Sequence, residues 1–199
     1  MSLPASCMLQ AQRNSPLIKS IPHYKDTMLS RQGIAIIGGG PCGLTLARLL
    51  ECKGIAYTVF ERDSSAISNN AAGGSLDIHA ETGQRALKEA GLFEQFKKVA
   101  RYDDTAVAIA DKRGKRVLEM GQERDAPEID RADLRSILLE SIPEDKIKWG
   151  HALKSAELGQ GASPVLTFAN GAVLDGFRLV VGADGAWSKV RRLVCELQR

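Results

Sequence analysis

Apolar residues first gather at 34–37, where Ile34, Ala35, Ile36 and Ile37 form an unbroken run. A short apolar run closed by turn residues reads as a strand buried on both faces. Gly38-Gly39-Gly40-Pro41-Cys42-Gly43 follows at once, and then Leu44-Thr45-Leu46-Ala47-Arg48-Leu49-Leu50 opens as a helix. Ile55-Ala56-Tyr57-Thr58-Val59-Phe60 reads as a second strand ending in Glu61, and 62–72 as a polar loop of small residues. Beyond it the pattern predicts a short helix over 81–90 stopped by Gly91, and a second carrying Leu92, Phe96 and Val99 at helical spacing. Residues 105–110 and 115–120 flank Asp111-Lys112-Arg113-Gly114 and predict a hairpin. Residues 131–140 predict an amphipathic helix with Leu134, Ile137 and Leu138 on one side. Short strands are expected at Trp149, 153–158, 165–168 and 173–175, the last two joined by the favoured hairpin pair Asn170-Gly171. Residues 177–181 predict a buried strand running into Gly182-Ala183-Asp184-Gly185. The sum is an α/β chain with a βαβ start, a β-rich middle and a returning strand. A plain nicotinamide dehydrogenase would instead keep alternating strands and helices.

The glycine string matters because of its context. A G-x-G-x-x-G between strand and helix is the sign of a dinucleotide site. Gly38 allows the tight turn, Gly40 lets the backbone approach a pyrophosphate, and Gly43 lets helix and strand pack closely. The free N–H groups at the helix start point at the phosphates. Glu61 lies eighteen positions after Gly43, close to the ~20 at which an acid meets an adenosine ribose. An acid there favours an unphosphorylated ribose, so FAD or NAD rather than NADP.

Composition narrows the picture further. A net charge of +3 with scattered basic residues argues against nucleic acid as a partner. Cys7, Cys42, Cys52 and Cys195 form no C-x-x-C pair and no zinc spacing, so they read as reduced thiols of a cytoplasmic protein, with no metal site expected. No apolar run approaches the ~18 residues of a membrane span. Residues 1–30 stand apart, with Pro4, Pro16, Pro22 and a basic, acid-poor character. They read as a disordered leader or as an organelle transit peptide.

Three strings then carry a family resemblance. Leu179-Val180-Val181-Gly182-Ala183-Asp184-Gly185-Ala186-Trp187-Ser188-Lys189-Val190-Arg191-Arg192 resembles the Asp-Gly motif of the single-component flavin aromatic hydroxylases. Glu61-Arg62-Asp63 resembles their ribose-binding segment. Ile129-Asp130-Arg131-Ala132-Asp133-Leu134-Arg135 resembles the helix start whose arginine reaches the flavin. Gly73-Gly74-Ser75-Leu76-Asp77-Ile78-His79 is most similar to the tetracycline-degrading branch. The resemblance covers about 33–192. It implies a Rossmann-like FAD-binding domain over 31–199, with a β-meander insertion and an incomplete substrate domain whose strands fall around 103–120. It implies FAD as cofactor, NADPH as reductant, and hydroxylation of an aromatic or polyketide-like small molecule.

The same resemblance implies a set of cofactor-binding residues: Gly38, Gly40, Gly43, Glu61, Arg62, Asp77, Arg131 and Asp184. Arg62 and Arg131 can give charge-assisted hydrogen bonds to phosphate or ribityl oxygens, and Asp77 can accept from a cofactor hydroxyl. Ser188 reads equally as a helix N-cap. His79 is read as structural, His23 and His151 as surface residues, and Trp149 and Trp187 as packing. No side chain reads as a catalytic acid, base or nucleophile. Family members continue past the Asp-Gly motif into a substrate-binding sheet and a second Gly-Asp motif, and close members carry a basic residue for NADPH where 64–72 has none. The expectation is a truncated FAD-binding part without full activity alone, self-associating through exposed apolar surface. The alternatives are a monooxygenase completed by a partner chain, and a non-catalytic NAD or FAD nucleotide-binding module.

Overall fold

A computed structural model describes residues 33–67, 73–102, 107–120, 125–159 and 163–196. The expected leader over 1–30 lies outside the described residues, as do His23, Cys7 and positions 68–72 and 103–106.

All four residues of strand β1 (Ile34–Ile37) are buried. Successive side chains of a strand point to opposite faces, and here the two faces meet different partners. Ile34 and Ile36 join a cluster with Leu44, Ala47 and Leu50 of helix α1 (Pro41–Cys52) and Leu134 and Leu138 of a later helix. Ala35 and Ile37 join Phe60, Leu166, Phe168 and Leu193 on the other side. The continuous apolar run at 34–37 is therefore what a strand sandwiched between two layers requires.

Helix α1 starts at Gly40 with Pro41 in its first turn, where a missing N–H costs nothing. The chain returns as β2 (Tyr57–Phe60), which pairs parallel with β1 from Ile34 opposite Tyr57 to Ile37 opposite Phe60. Next come β3 (Ser75–Asp77), a π-helical turn (Ala80–Gln84), α2 (Arg85–Glu89) and α3 (Phe93–Val99). Gly91 adopts φ +70° between α2 and α3, a left-handed value that suits glycine. Phe96 is buried, but Val99 of the expected apolar stripe is exposed because α3 ends there. The hairpin stands as expected, in β4 (Val107–Ala110) and β5 (Arg116–Met120). Strand β6 (Glu128–Asp130) pairs antiparallel with β3 and leads into α4 (Arg131–Glu140), which packs on α1.

The remaining elements complete both layers. Strand β7 (Ile147–Lys148) pairs parallel with β2, and the expected strand at Trp149 is corrected to these two preceding residues. Trp149 itself lies in the turn after them. Strands β8 (Leu153–Leu158), β9 (Pro164–Phe168) and β10 (Val173–Leu174) form an antiparallel meander. Strand β11 (Leu179–Gly182) then pairs parallel with β1, and α5 (Arg191–Glu196) packs on β8. The parallel sheet runs β11-β1-β2-β7. This corrects the expectation of a buried strand at 177–181. Strand β11 is the outer strand, with Leu179 exposed and Val180 and Val181 only half-buried, while Phe177 just before it is buried.

The architecture is thus α/β and Rossmann-like: α1 to α4 on one face of a parallel sheet, and an antiparallel meander with α5 on the other. No helix among the described residues is long and apolar enough to cross a membrane.

Candidate cofactor site

Parallel strands all end on one edge, so the carboxyl ends of β11, β1 and β2 collect three of the expected segments: Gly182 to Asp184, Gly38 to Gly43, and Glu61. From β1 the chain moves to β2 on one side and receives β11 on the other. Such a switch point is where open α/β sheets bind ligands.

Each glycine of the turn has a distinct neighbourhood. Gly38 adopts φ +111°, and a Cβ there would lie 2.4 Å from the carbonyl oxygen of Ala183. The turn is held by Gly38 N–H donating to Phe60 O at 2.9 Å and Ala183 N–H donating to Ile37 O at 2.7 Å. At Gly43 a Cβ would lie 2.0 Å from Gly38 O, so only glycine lets α1 sit this close. At Gly40 nothing among the described residues stands within 4 Å of a Cβ, and its φ of −80° suits any residue. Gly40 faces open space beside the start of a twelve-residue helix, whose first N–H groups have no partner within the helix. That combination of open space and free helix-start donors has the shape of an anion cradle, which a side chain would fill.

Glu61 is buried at the end of β2. Its Oε2 accepts from Gly39 N–H, and its Oε1 accepts from Asp63 N–H at 3.0 Å. A carboxylate has about four acceptor positions, so Glu61 can brace the turn and still take a hydroxyl. Asp184 follows β11. Its Oδ2 accepts from Lys189 N–H at 2.8 Å, while Oδ1 is buried with no partner among the described residues. A buried polar atom left unmatched implies a missing partner. A carboxylate only accepts, so that partner is a donor such as a hydroxyl, not a phosphate oxygen.

The other expected residues lie further out. Arg131 is exposed at the start of α4, its N–H donating to Gly74 O at 3.3 Å and its side chain lying against Gly73. Asp77 is exposed at the far end of β3, opposite Glu128. The structure therefore places Arg131 beside Gly73 and Gly74 but does not bring Asp77 to it. Arg62 is exposed directly after Glu61. An open depression beside Asp184 is lined by Gly182, Gly185, Ser188, Val190, Arg191 and Val194.

Ser188 caps as expected, its Oγ accepting from Arg191 N–H at 3.2 Å at the start of α5. Two expectations are corrected. Trp187 is 92% exposed and is not packed into the core of the described residues, because the turn after Asp184 carries it outward. His151 is half-buried against Phe60 and Phe168 with ring centroids 5.7 and 5.2 Å away, because the turn after β7 folds it onto the meander. Two residues were given no role in the sequence reading. Gly39 donates its N–H to Glu61, and a Cβ on it would lie 2.9 Å from that carboxylate. Arg135, within the quoted helix-start string, bonds the Gly39 carbonyl from α4. Its signal was spacing: it stands four positions after Arg131, one helical turn along the same face.

A buried acid at the end of β2, an open glycine turn at a helix start and an unmatched buried carboxylate form a donor and acceptor set that fits a dinucleotide. The comparisons agree with it. A family model described as an FAD binding domain matches residues 31–196. The chain is 38% identical over 178 residues to the monooxygenase penA of Penicillium thymicola, covering 84% of this chain and 41% of that protein. It is 36% identical over 178 residues to the monooxygenase asqM of Emericella nidulans, covering 81% and 40%. Among solved structures, the tetracycline destructase Tet(55) matches with a TM-score of 0.63 and 26% identity, over 84% of this chain and 42% of that one. The chain spans about two fifths of the length of the curated relatives it matches. It belongs to the FAD-binding-domain family whose model it matches, and its cofactor is FAD.

Proposed function

We propose that this chain is the FAD-holding part of a monooxygenase that hydroxylates a small aromatic or polyketide-like molecule, with NADPH as reductant. Gly38, Gly40 and Gly43 with the start of α1 would take the pyrophosphate, and Glu61 a ribose hydroxyl of the adenosine. The unmatched Oδ1 of Asp184 would accept from a ribityl hydroxyl, and Arg62, Asp77 and Arg131 would complete the grip from the rim. When bound, FAD supplies the redox chemistry. In this reading the chain's own residues bind and orient the cofactor, and none of the described ones is assigned as acid, base or nucleophile.

The observation that carries this reading is the contrast at one strand edge. Gly38 and Gly43 are closed in by backbone, whereas Gly40 between them faces open space. A turn built that tightly around one vacant side has a shape suited to a ligand rather than to packing.

The test is direct. Purified protein should be yellow, release FAD on denaturation, and melt higher when FAD is added. At ligand concentrations near 100 times Kd the stabilisation is about 2.7 kcal/mol, a rise of roughly 5–10 °C for a domain of this size. A colourless protein whose melt ignores FAD would sink the reading. NADPH consumption coupled to a hydroxylated product, with candidate aromatics supplied, tests the second half of it.

Glu61→Ala should weaken FAD by roughly 1–3 kcal/mol, the range for hydrogen bonds to a charged group. That is about 5- to 150-fold in Kd, read by flavin fluorescence titration. An unchanged Kd would remove Glu61 from the ribose site. The exposed Ile109, Val117 and Leu118 of the hairpin and Trp187 support the further proposal that the chain self-associates. Sedimentation of the same sample over a range of concentrations checks it.

A further inference from the structure

We infer that Arg135 is a positioning residue for the adenosine end of the cofactor, holding the Glu61-bearing segment and the glycine turn in fixed register. The inference rests on the FAD reading above. Arg135 projects from α4 and bonds two separate parts of the chain. Its Nε donates to Gly39 O at 3.3 Å, its Nη1 to Ala66 O at 2.8 Å, and its Nη2 lies 3.5 Å from Asp63 Oδ2. The Arg135 and Asp63 side chains are only 12% and 13% exposed. The guanidinium also sits 5.5 Å from the ring centroid of Trp149. Next to that ring, Gly150 N–H donates to Asp63 O and His151 N–H to Glu61 O, both at 2.7 Å. The segment from Glu61 to Asp63 is thus fixed by the turn after β7 from one direction and by α4 from another.

The consequence reaches the phosphate cradle. Gly39 is held at both of its polar groups, its N–H by Glu61 and its carbonyl by Arg135. The peptide joining Gly39 to Gly40 is planar and trans, so its C=O and N–H point in opposite directions. With the oxygen drawn to Arg135, the N–H of Gly40 is turned away from α4. That N–H is one of the donors the pyrophosphate reading needs. Arginine suits the task because its donors form a rigid planar fork, whereas lysine is a point charge on a flexible stem.

The test uses the full chain with FAD and with ADP, which carries only the adenosine and pyrophosphate. Arg135→Lys keeps the charge beside Asp63 and loses the fork. It should bind FAD and ADP each about 10-fold or more weaker, while its melt without ligand moves by only a few degrees. Arg135→Gln, which keeps planar N–H donors and loses the charge, serves as the second variant. Wild-type affinity for both ligands in a folded Arg135→Lys protein would overturn the inference. So would failure of both variants to fold, since that outcome assigns Arg135 to the fold alone. A wild-type chain that binds neither FAD nor ADP would overturn the cofactor reading itself, and this inference with it.

Discussion

Gly40→Val is expected to abolish flavin retention while leaving the fold standing. The position is extended, with φ −80° and ψ 177°, and no atom of the described residues lies within 4 Å of where a Cβ would go. A valine there therefore meets no described protein group with its Cβ. It gives up glycine's mild advantage at a helix N-cap, a cost of at most about 1 kcal/mol. What it does meet is the ligand, because its methyl groups fill the space through which a pyrophosphate must approach the backbone. The expected loss is about 100-fold or more in FAD affinity, or roughly 3 kcal/mol. The unliganded melting temperature should stay within a few degrees of wild type. Equilibrium dialysis for FAD and a melt of the same preparation read both quantities. Gly40→Ala, one methyl group in the same space, should fall between. Retention of flavin by the valine variant would mean that the open side of Gly40 is not where the phosphates lie.

Much of this contrast was legible before any coordinates. The run Ile34 to Ile37 followed by glycines and a helix has few readings other than a βαβ start, and helix 131–140 stands at the expected bounds. Other features were invisible for physical reasons. Strand β7 has two residues, too few to show any periodicity, so the aromatic Trp149 drew the expectation two positions late. Leu179, Val180 and Val181, within the expected strand 177–181, read as buried because they are apolar. Their exposure depends on which strand ends the sheet, and that is a property of topology, not of the segment. Trp187 misled in the same way: its size argued for packing, but a turn can carry a large ring into solvent. Arg135 stands within a motif without a mark of its own in the sequence. A cation on a helix is usually a solvated one, and only the fold shows that Gly39 and Ala66 bring their carbonyls to it. Among the expected site residues, those at strand ends (Gly38, Gly43, Glu61, Asp184) come together. Asp77 does not join Arg131, because β3 pairs with β6 in a register that sets them at opposite ends of the ribbon.

Gly43→Ala tests the other half of the glycine turn, and there intuition and geometry disagree in sign. Gly43 lies inside α1, where alanine is favoured over glycine by about 1 kcal/mol, so helix propensity alone predicts a more stable protein. The structure predicts the reverse. The added Cβ would stand 2.0 Å from the carbonyl oxygen of Gly38 and 3.2 Å from Ala183 Cβ. That oxygen cannot swing aside as a flexible side chain would. Its residue is tied to Phe60, and the adjoining Ile37 to Ala183, by backbone hydrogen bonds of 2.9 and 2.7 Å. Either α1 moves off the sheet or the turn opens, and overpacking of this kind costs about 3 kcal/mol at the upper end of its usual range. Less the propensity gain, the net loss is roughly 2 kcal/mol, or about 4–8 °C in melting temperature for a domain of this size. FAD affinity should fall as well, because the turn that opens is the one proposed to hold the phosphates. The two variants are thus separable: valine at Gly40 removes the ligand and spares the melt, whereas alanine at Gly43 lowers both. A Gly43→Ala protein that melts at or above wild type would show that α1 and the turn have room to part, and the tight packing assigned to Gly43 would have to be withdrawn.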